Sequence, residues 1–151
     1  MAFVAGTEIA TPEGMVAIED LKVGNEVLAG SGSAPHLAWS PVAVEFNIAT
    51  PPGEIHQVID VVFDAGRRLV CTQDQLFMLP DGTLAPASDL APGGKLLDQN
   101  GNDVPIVAVR MVNYAGSLCH LETSLGTKGS FDGHLILAGG VVAGDLGLQS
   151  G

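Results

Sequence analysis

Apolar and polar residues alternate along this chain in short runs, with few of the three- and four-residue spacings that mark helices. Such runs fall at 7–10, 15–18, 26–28, 42–46, 58–63, 67–71, 76–79, 95–97, 106–112, 118–123 and 135–137, and each predicts a β-strand. Within 58–63, Ile59, Val61 and Phe63 share one face, while Asp60 and the neighbouring Asp64 take the other. Turn-forming clusters separate the runs: Pro12-Glu13-Gly14, Pro51-Pro52-Gly53, Pro80-Asp81-Gly82, Asn100-Gly101 and Gly139-Gly140. The Gly/Ser-containing stretch 30–40 and the stretch 49–53 read as the loosest loops. No linker divides the chain, so the expectation is a single all-β domain spanning 1–151.

Laid against itself, the sequence repeats. Pro12, Gly14 and Ala17 match Pro80, Gly82 and Ala85, each 68 positions on. After a one-residue insertion, Asp20, Leu21, Gly24 and Leu28 match Asp89, Leu90, Gly93 and Leu97. The shared pattern is a Pro-acidic-Gly hairpin turn, a short strand, one helical turn ending in Asp-Leu, and a Gly turn into another strand. Two copies of that unit predict a pseudo-twofold arrangement.

Composition adds exclusions. Twenty Gly and nine Pro argue against long helices, and 46% hydrophobic residues argue for a packed core. A net charge of −11 repels a phosphate backbone, so no nucleic-acid partner is expected. The acidic residues are scattered, as on a solubilising surface. The longest apolar stretch, 104–112, is broken by Arg110 and is far shorter than a bilayer span. The opening Met1-Ala2-Phe3-Val4-Ala5-Gly6 lacks the basic region and apolar core of a signal peptide. Cys71 and Cys119 could pair, but two cysteines make no disulfide framework, and buried thiols packing as small hydrophobes are the simpler reading.

The segment Gly6-Thr7-Glu8-Ile9-Ala10-Thr11-Pro12-Glu13-Gly14, continued by Ile18-Glu19-Asp20-Leu21-Lys22-Val23-Gly24-Asn25-Glu26-Val27-Leu28, carries a specific signature. It resembles the opening block of Hint domains, the module shared by inteins, bacterial intein-like domains and Hedgehog autoprocessing domains. The resemblance continues in weaker blocks to the end of the chain. It implies a flat, horseshoe-shaped, pseudo-twofold β fold of bacterial or phage origin. It also implies a substrate that is the domain's own flanking polypeptide, with no cofactor and no membrane, in a monomer.

Chemistry in that family starts with a Cys or Ser as first residue, which attacks the preceding carbonyl in an N-to-S or N-to-O acyl shift. The corresponding residue here, just before Phe3-Val4-Ala5-Gly6-Thr7, is Ala2, which has no nucleophile. It is the replacement that would trap an uncleaved domain, so Ala2 reads as a substituted nucleophile. The family's Thr-x-x-His motif falls on Thr72-Gln73-Asp74-Gln75: Thr72 is in place, but Gln75 stands where the proton-donating His belongs, and an amide cannot shuttle a proton near neutral pH. In Leu118-Cys119-His120-Leu121-Glu122, His120 takes the usual Asp position. His134 then opens the block in which Gly139 replaces an Asn, and is expected to be the remaining catalytic imidazole, with His120 as acid or base beside it. At the C-terminal junction Gly144-Asp145 replaces His-Asn, and an ionised carboxylate cyclises poorly compared with an Asn amide. The resemblance therefore implies cleavage on the N-terminal side, silenced by Ala2, with complete splicing unexpected.

The residues leave two other readings. A degenerate domain serving as a structural or binding module is favoured by Gln75 and Asp145. A metal-dependent hydrolase is disfavoured because His36, His56, His120 and His134 lack close ligand spacing, although incidental zinc at Cys119, His120 or His134 is chemically open.

Overall fold

A computed structural model describes residues 1–64, 66–123 and 133–147; Lys128 and the continuation Leu148-Gln149-Ser150-Gly151 lie outside them. Fourteen strands join into one sheet among these residues. They are β1 (Phe3–Val4), β2 (Glu8–Thr11), β3 (Gly14–Ala17), β4 (Glu26–Ser33), β5 (His36–Ala49), β6 (Ile55–Phe63) and β7 (Arg67–Cys71), followed by β8 (Leu76–Met78), β9 (Leu84–Pro86), β10 (Lys95–Leu97), β11 (Asp103–Ala115), β12 (Leu118–Thr123), β13 (Leu135–Ala138) and β14 (Val141–Gly144). Their order is β10-β11-β6-β7-β1-β12-β5-β4-β13-β14-β8-β9, with β2 paired to β13 and β3. The path curls back on itself: Asp98, just past β10 at one end, bridges Val141 on β14, two strands short of the other end.

The internal repeat is a structural repeat. Single 3-10 turns occupy Ile18–Asp20 and Ala87–Asp89, and each is followed by a core leucine, Leu21 or Leu90. Corresponding backbone bonds recur around them. Ile18 N–H donates to Thr7 O (2.7 Å) as Ala87 N–H does to Gln75 O (2.8 Å). Gly24 N–H donates to Val44 O (2.9 Å) as Gly93 N–H does to Ile106 O (3.1 Å). Gly24 and Gly93 have φ of 94° and 88°, the left-handed turn that only glycine adopts without strain, which is why the repeat keeps them. The pseudo-twofold relation is thus built into the hydrogen bonding.

Between the two halves lies the core, where Phe3, Ile9, Phe63, Phe77, Leu96 and Ile136 are all almost inaccessible. Phe3 and Phe77 pack edge to face, with centroids 6.2 Å apart. Phe3 comes from β1, which consists of two residues wedged between β7 and β12. Across β1, Phe3 is in register with Cys71 on one side and Cys119 on the other. Two strand spacings of about 4.8 Å put the cysteines too far apart to bond. Both are free and buried, and burial pushes both thiols above their ordinary range.

Two features differ from the sequence expectation. The stretch 30–40 is not a loop: Gly30–Ser33 extends β4 and His36–Ser40 begins β5, in continuous antiparallel register from Glu26↔Ala43 to Ser33↔His36. Glycine composition hid this strand, yet Gly30 has a packing reason. A Cβ there would sit 3.0 Å from the Trp39 ring, so the indole lies directly on the Gly30 backbone. Strands β1, β9 and β14 also lacked a readable alternation, the first two being very short and β14 being buried on both faces.

Candidate functional site

β1 places Met1 and Ala2 inside the molecule, at 5% and 1% exposure, so the peptide bond joining them is surrounded by protein. The chain turns sharply after β7, with Gln75 N–H donating to Thr72 O at 3.2 Å. This is the repeat partner of the turn in which Thr7 N–H donates to Val4 O at 3.3 Å. In that turn Thr72 meets Ala2 from both sides: Thr72 N–H donates to Ala2 O at 2.9 Å, and Ala2 N–H donates to Thr72 Oγ1 at 3.0 Å. The Thr72 hydroxyl in turn donates to Asp74 Oδ1 at 2.7 Å, while Asp74 Oδ2 lies 3.4 Å from the Met1 amine.

The carbonyl side of the same bond is met by His120. Strand alternation on β12 turns Cys119 into the core and His120 towards Met1, whose carbonyl oxygen lies 3.0 Å from His120 Nδ1. A carbonyl only accepts, so Nδ1 carries the proton. Burial, and then the positive charge at the N-terminus, hold this imidazole below its ordinary pKa, so it is neutral at pH 7. Ala2 N–H, Met1 C=O and Met1 N thus each have a side-chain partner: Thr72, His120 and Asp74.

Gln75 does not reach this bond. Its amide nitrogen donates to Gly144 O at 2.7 Å and to Leu76 O at 3.1 Å, two carbonyls that settle which end of the amide is nitrogen. Gln75 therefore ties the turn to the end of β14, at the opposite junction. There the buried Asp145 carboxylate accepts from Thr123 N–H (2.8 Å), Thr123 Oγ1 (2.9 Å) and Gly147 N–H (2.9 Å), and contacts His134 Nδ1 at 3.0 and 3.1 Å. Burial raises the Asp145 pKa against the pull of these donors. Gly147 approaches so closely that a Cβ on it would come within 2.5 Å of the His134 ring. His134 is thus engaged with Asp145 and Thr123, at the C-terminal end of the chain.

The two junctions share a crevice of about 10 Å³, lined by Met1, Ala2, Gln75, Gly144 and Asp145 among others. That is room for about one water at most, so the space between the two junctions is nearly dry. Among the described residues no three His, Cys, Asp or Glu side chains group to hold a metal ion. Sequence reasoning passed over Asp74. Its only signal was its place between Thr72 and Gln75, two residues from a hydroxyl that it can reach.

An all-β, internally repeated sheet that encloses and holds its own N-terminal peptide bond fits the class of self-processing domains. The family model for the Hint domain matches residues 1–115, and the chain belongs to that family. No curated protein matches in sequence. Among solved structures, the bacterial intein-like domain from Clostridium thermocellum is similar at 23% identity with a TM-score of 0.78, over 95% of this chain and 98% of that one. The gp41-1 intein follows at 21% identity, TM-score 0.72, over 95% and 98%. The MchDnaB-1 intein gives 22% identity, TM-score 0.69, over 95% and 99%. These likenesses establish the shared fold, and no helix among the described residues is long and apolar enough to cross a membrane.

Proposed function

We propose that this domain, acting as one unit over 1–151, processes the peptide bond preceding position 2 through a thioester, and that Ala2 keeps this copy silent. The observation that carries the reading is the three-point hold on Met1–Ala2, with Thr72 on the nitrogen side and His120 on the carbonyl oxygen. With a cysteine at position 2, Sγ attacks the Met1 carbonyl carbon and the C–N bond breaks. The thiol's proton ends on the freed nitrogen, and the acyl group rests on sulfur. His120 Nδ1–H faces the oxygen on which negative charge develops, the role of an oxyanion donor. Thr72 Oγ1 keeps the nitrogen oriented. The substrate is the domain's own upstream polypeptide, the domain works as a monomer, and neither nucleic acid nor a cofactor takes part.

The test is an Ala2→Cys variant carrying an upstream flank, treated with hydroxylamine or a small thiol. Release of the flank as a hydroxamate or thioester is the expected result, with no release from the Ala2 chain. Full-length protein persisting in both overturns it. One observation favours a second reading, a structural or binding module: Gln75 and Asp145 are both spent on internal hydrogen bonds that hold the C-terminal junction closed. Persistent full-length protein in the Cys variant supports that reading.

A further inference from the structure

We infer that Asp74 is a positioning residue for the Met1–Ala2 bond, supplying through Thr72 part of the hold that Gln75, in the family's histidine position, does not supply. The inference rests on the reading that this bond is the one processed. A threonine hydroxyl has one proton and two lone pairs. Asp74 Oδ1, 2.7 Å away, accepts that proton, which leaves a lone pair for the Ala2 N–H at 3.0 Å. The competing acceptor is Ala2 O, 3.4 Å from the hydroxyl. With Asp74 gone the hydroxyl has only that longer acceptor, and turning towards it swings the lone pair off the nitrogen.

The second carboxylate oxygen extends the hold upstream. Asp74 Oδ2 lies 3.4 Å from Met1 N, and in a chain with a preceding residue that nitrogen is an amide donor. One side chain thus connects, directly or through Thr72, to the nitrogens on both sides of the Met1 carbonyl, while His120 takes its oxygen. Fixing a peptide at three points keeps its carbonyl in the geometry an attacking sulfur needs, and misplacement by about 1 Å costs on the order of 100-fold in rate.

Two measurements test it. In the flanked Ala2→Cys chain, Asp74→Ala is expected to slow flank release by about 10- to 100-fold. Asp74→Asn, which keeps an acceptor for Thr72 but turns an NH2 towards Met1 N, rescues in part. Thr72→Val/Asp74→Ala should be no slower than Thr72→Val alone, because both changes remove one linked interaction. In the unaltered Ala2 chain, Asp74→Ala should speed hydrogen exchange of the Ala2 amide about fivefold, the effect of one lost hydrogen bond, with the melting temperature lowered by no more than about 4 °C. Unchanged Ala2 exchange in Asp74→Ala, or rate losses that multiply in the double variant, overturns the inference. If Ala2→Cys never releases its flank, the processing reading fails, yet Ala2 exchange still decides the role of Asp74.

Discussion

The two junctions of this domain meet in one crevice and are treated oppositely. At the N-terminal one, Thr72 and Asp74 from the turn after β7 and His120 from β12 converge on a main-chain peptide, leaving its carbonyl carbon uncommitted. At the C-terminal one, Thr123, His134 and Gly147 converge on a side chain, the Asp145 carboxylate, and Gln75 adds a bond to the preceding carbonyl. A carboxyl whose oxygens are engaged by several donors has its lone pairs occupied and is a poor attacking group. On the function proposed above, the first site holds a bond ready for a nucleophile at position 2, whereas the second engages its carboxylate in internal hydrogen bonds. Sharing one crevice therefore does not mean sharing one chemistry, and what separates the two is where the hydrogen bonds end.

The largest expected effect lies at the first junction. In the flanked Ala2→Cys chain, His120→Ala removes a side-chain donor from the Met1 carbonyl, and release should fall by about 100- to 1000-fold, as for other oxyanion donors. Quantifying hydroxylamine-released flank over time measures this. His134→Ala in the same background is the contrast: its ring serves Asp145, so release should fall far less. Equal losses for the two histidines would erase the difference between the junctions.

Much of this was legible beforehand, for reasons particular to each element. The repeat showed because Gly24 and Gly93 need positive φ and Leu21 and Leu90 need the core, and such demands leave few residue choices. Thr72 and His120 could be placed by the family pattern and by strand alternation. The partners of Gln75 and Asp145 could not be, because they lie 69 and 22 positions away across the sheet and no local spacing encodes such pairs. A histidine in a family block looks the same whether it faces a peptide or a carboxylate, so the contact of His134 with Asp145 is not readable from its block. The glycine-rich part of β4 was hidden because glycine normally marks turns, and only the Trp39 ring lying on Gly30 explains it.

A smaller effect separates the junctions by stability. Asp145→Ala leaves the buried Thr123 N–H and the Gly147 N–H without their acceptor, a cost of about 1–3 kcal/mol for an unsatisfied buried group. Thr72→Val, beside the half-exposed Asp74, disturbs a wetter site and should cost less than about 1 kcal/mol. Urea unfolding of the two variants gives the comparison directly, and a Thr72→Val loss as large as that of Asp145→Ala would place structural weight at the wrong junction. Gln75→Leu, which strips the donor from Gly144 O, should fall with Asp145→Ala.

The smallest effect is a dependence on pH. Burial raises the native pKa of Asp145, and it raises that of Glu122 as well, with the nearby Asp145 and Glu45 charges adding to it and His134 opposing. A carboxyl with a raised native pKa keeps its proton in the folded chain after the unfolded chain has released it. Its contribution to stability is therefore greatest near and below the ordinary carboxyl pKa of about 4. It declines as pH rises, until the native group has ionised too. Asp145→Asn cannot titrate at this position. The unfolding free energy of the wild type minus that of Asp145→Asn should thus be most positive near pH 4 and fall towards neutrality, on a scale of about 1.4 kcal/mol per unit of pKa difference. Urea titrations of both proteins at several pH values measure that difference. A difference that grows as pH rises would mean that the Thr123, His134 and Gly147 contacts outweigh burial, and that the C-terminal junction is held by an ionised Asp145 across the whole range.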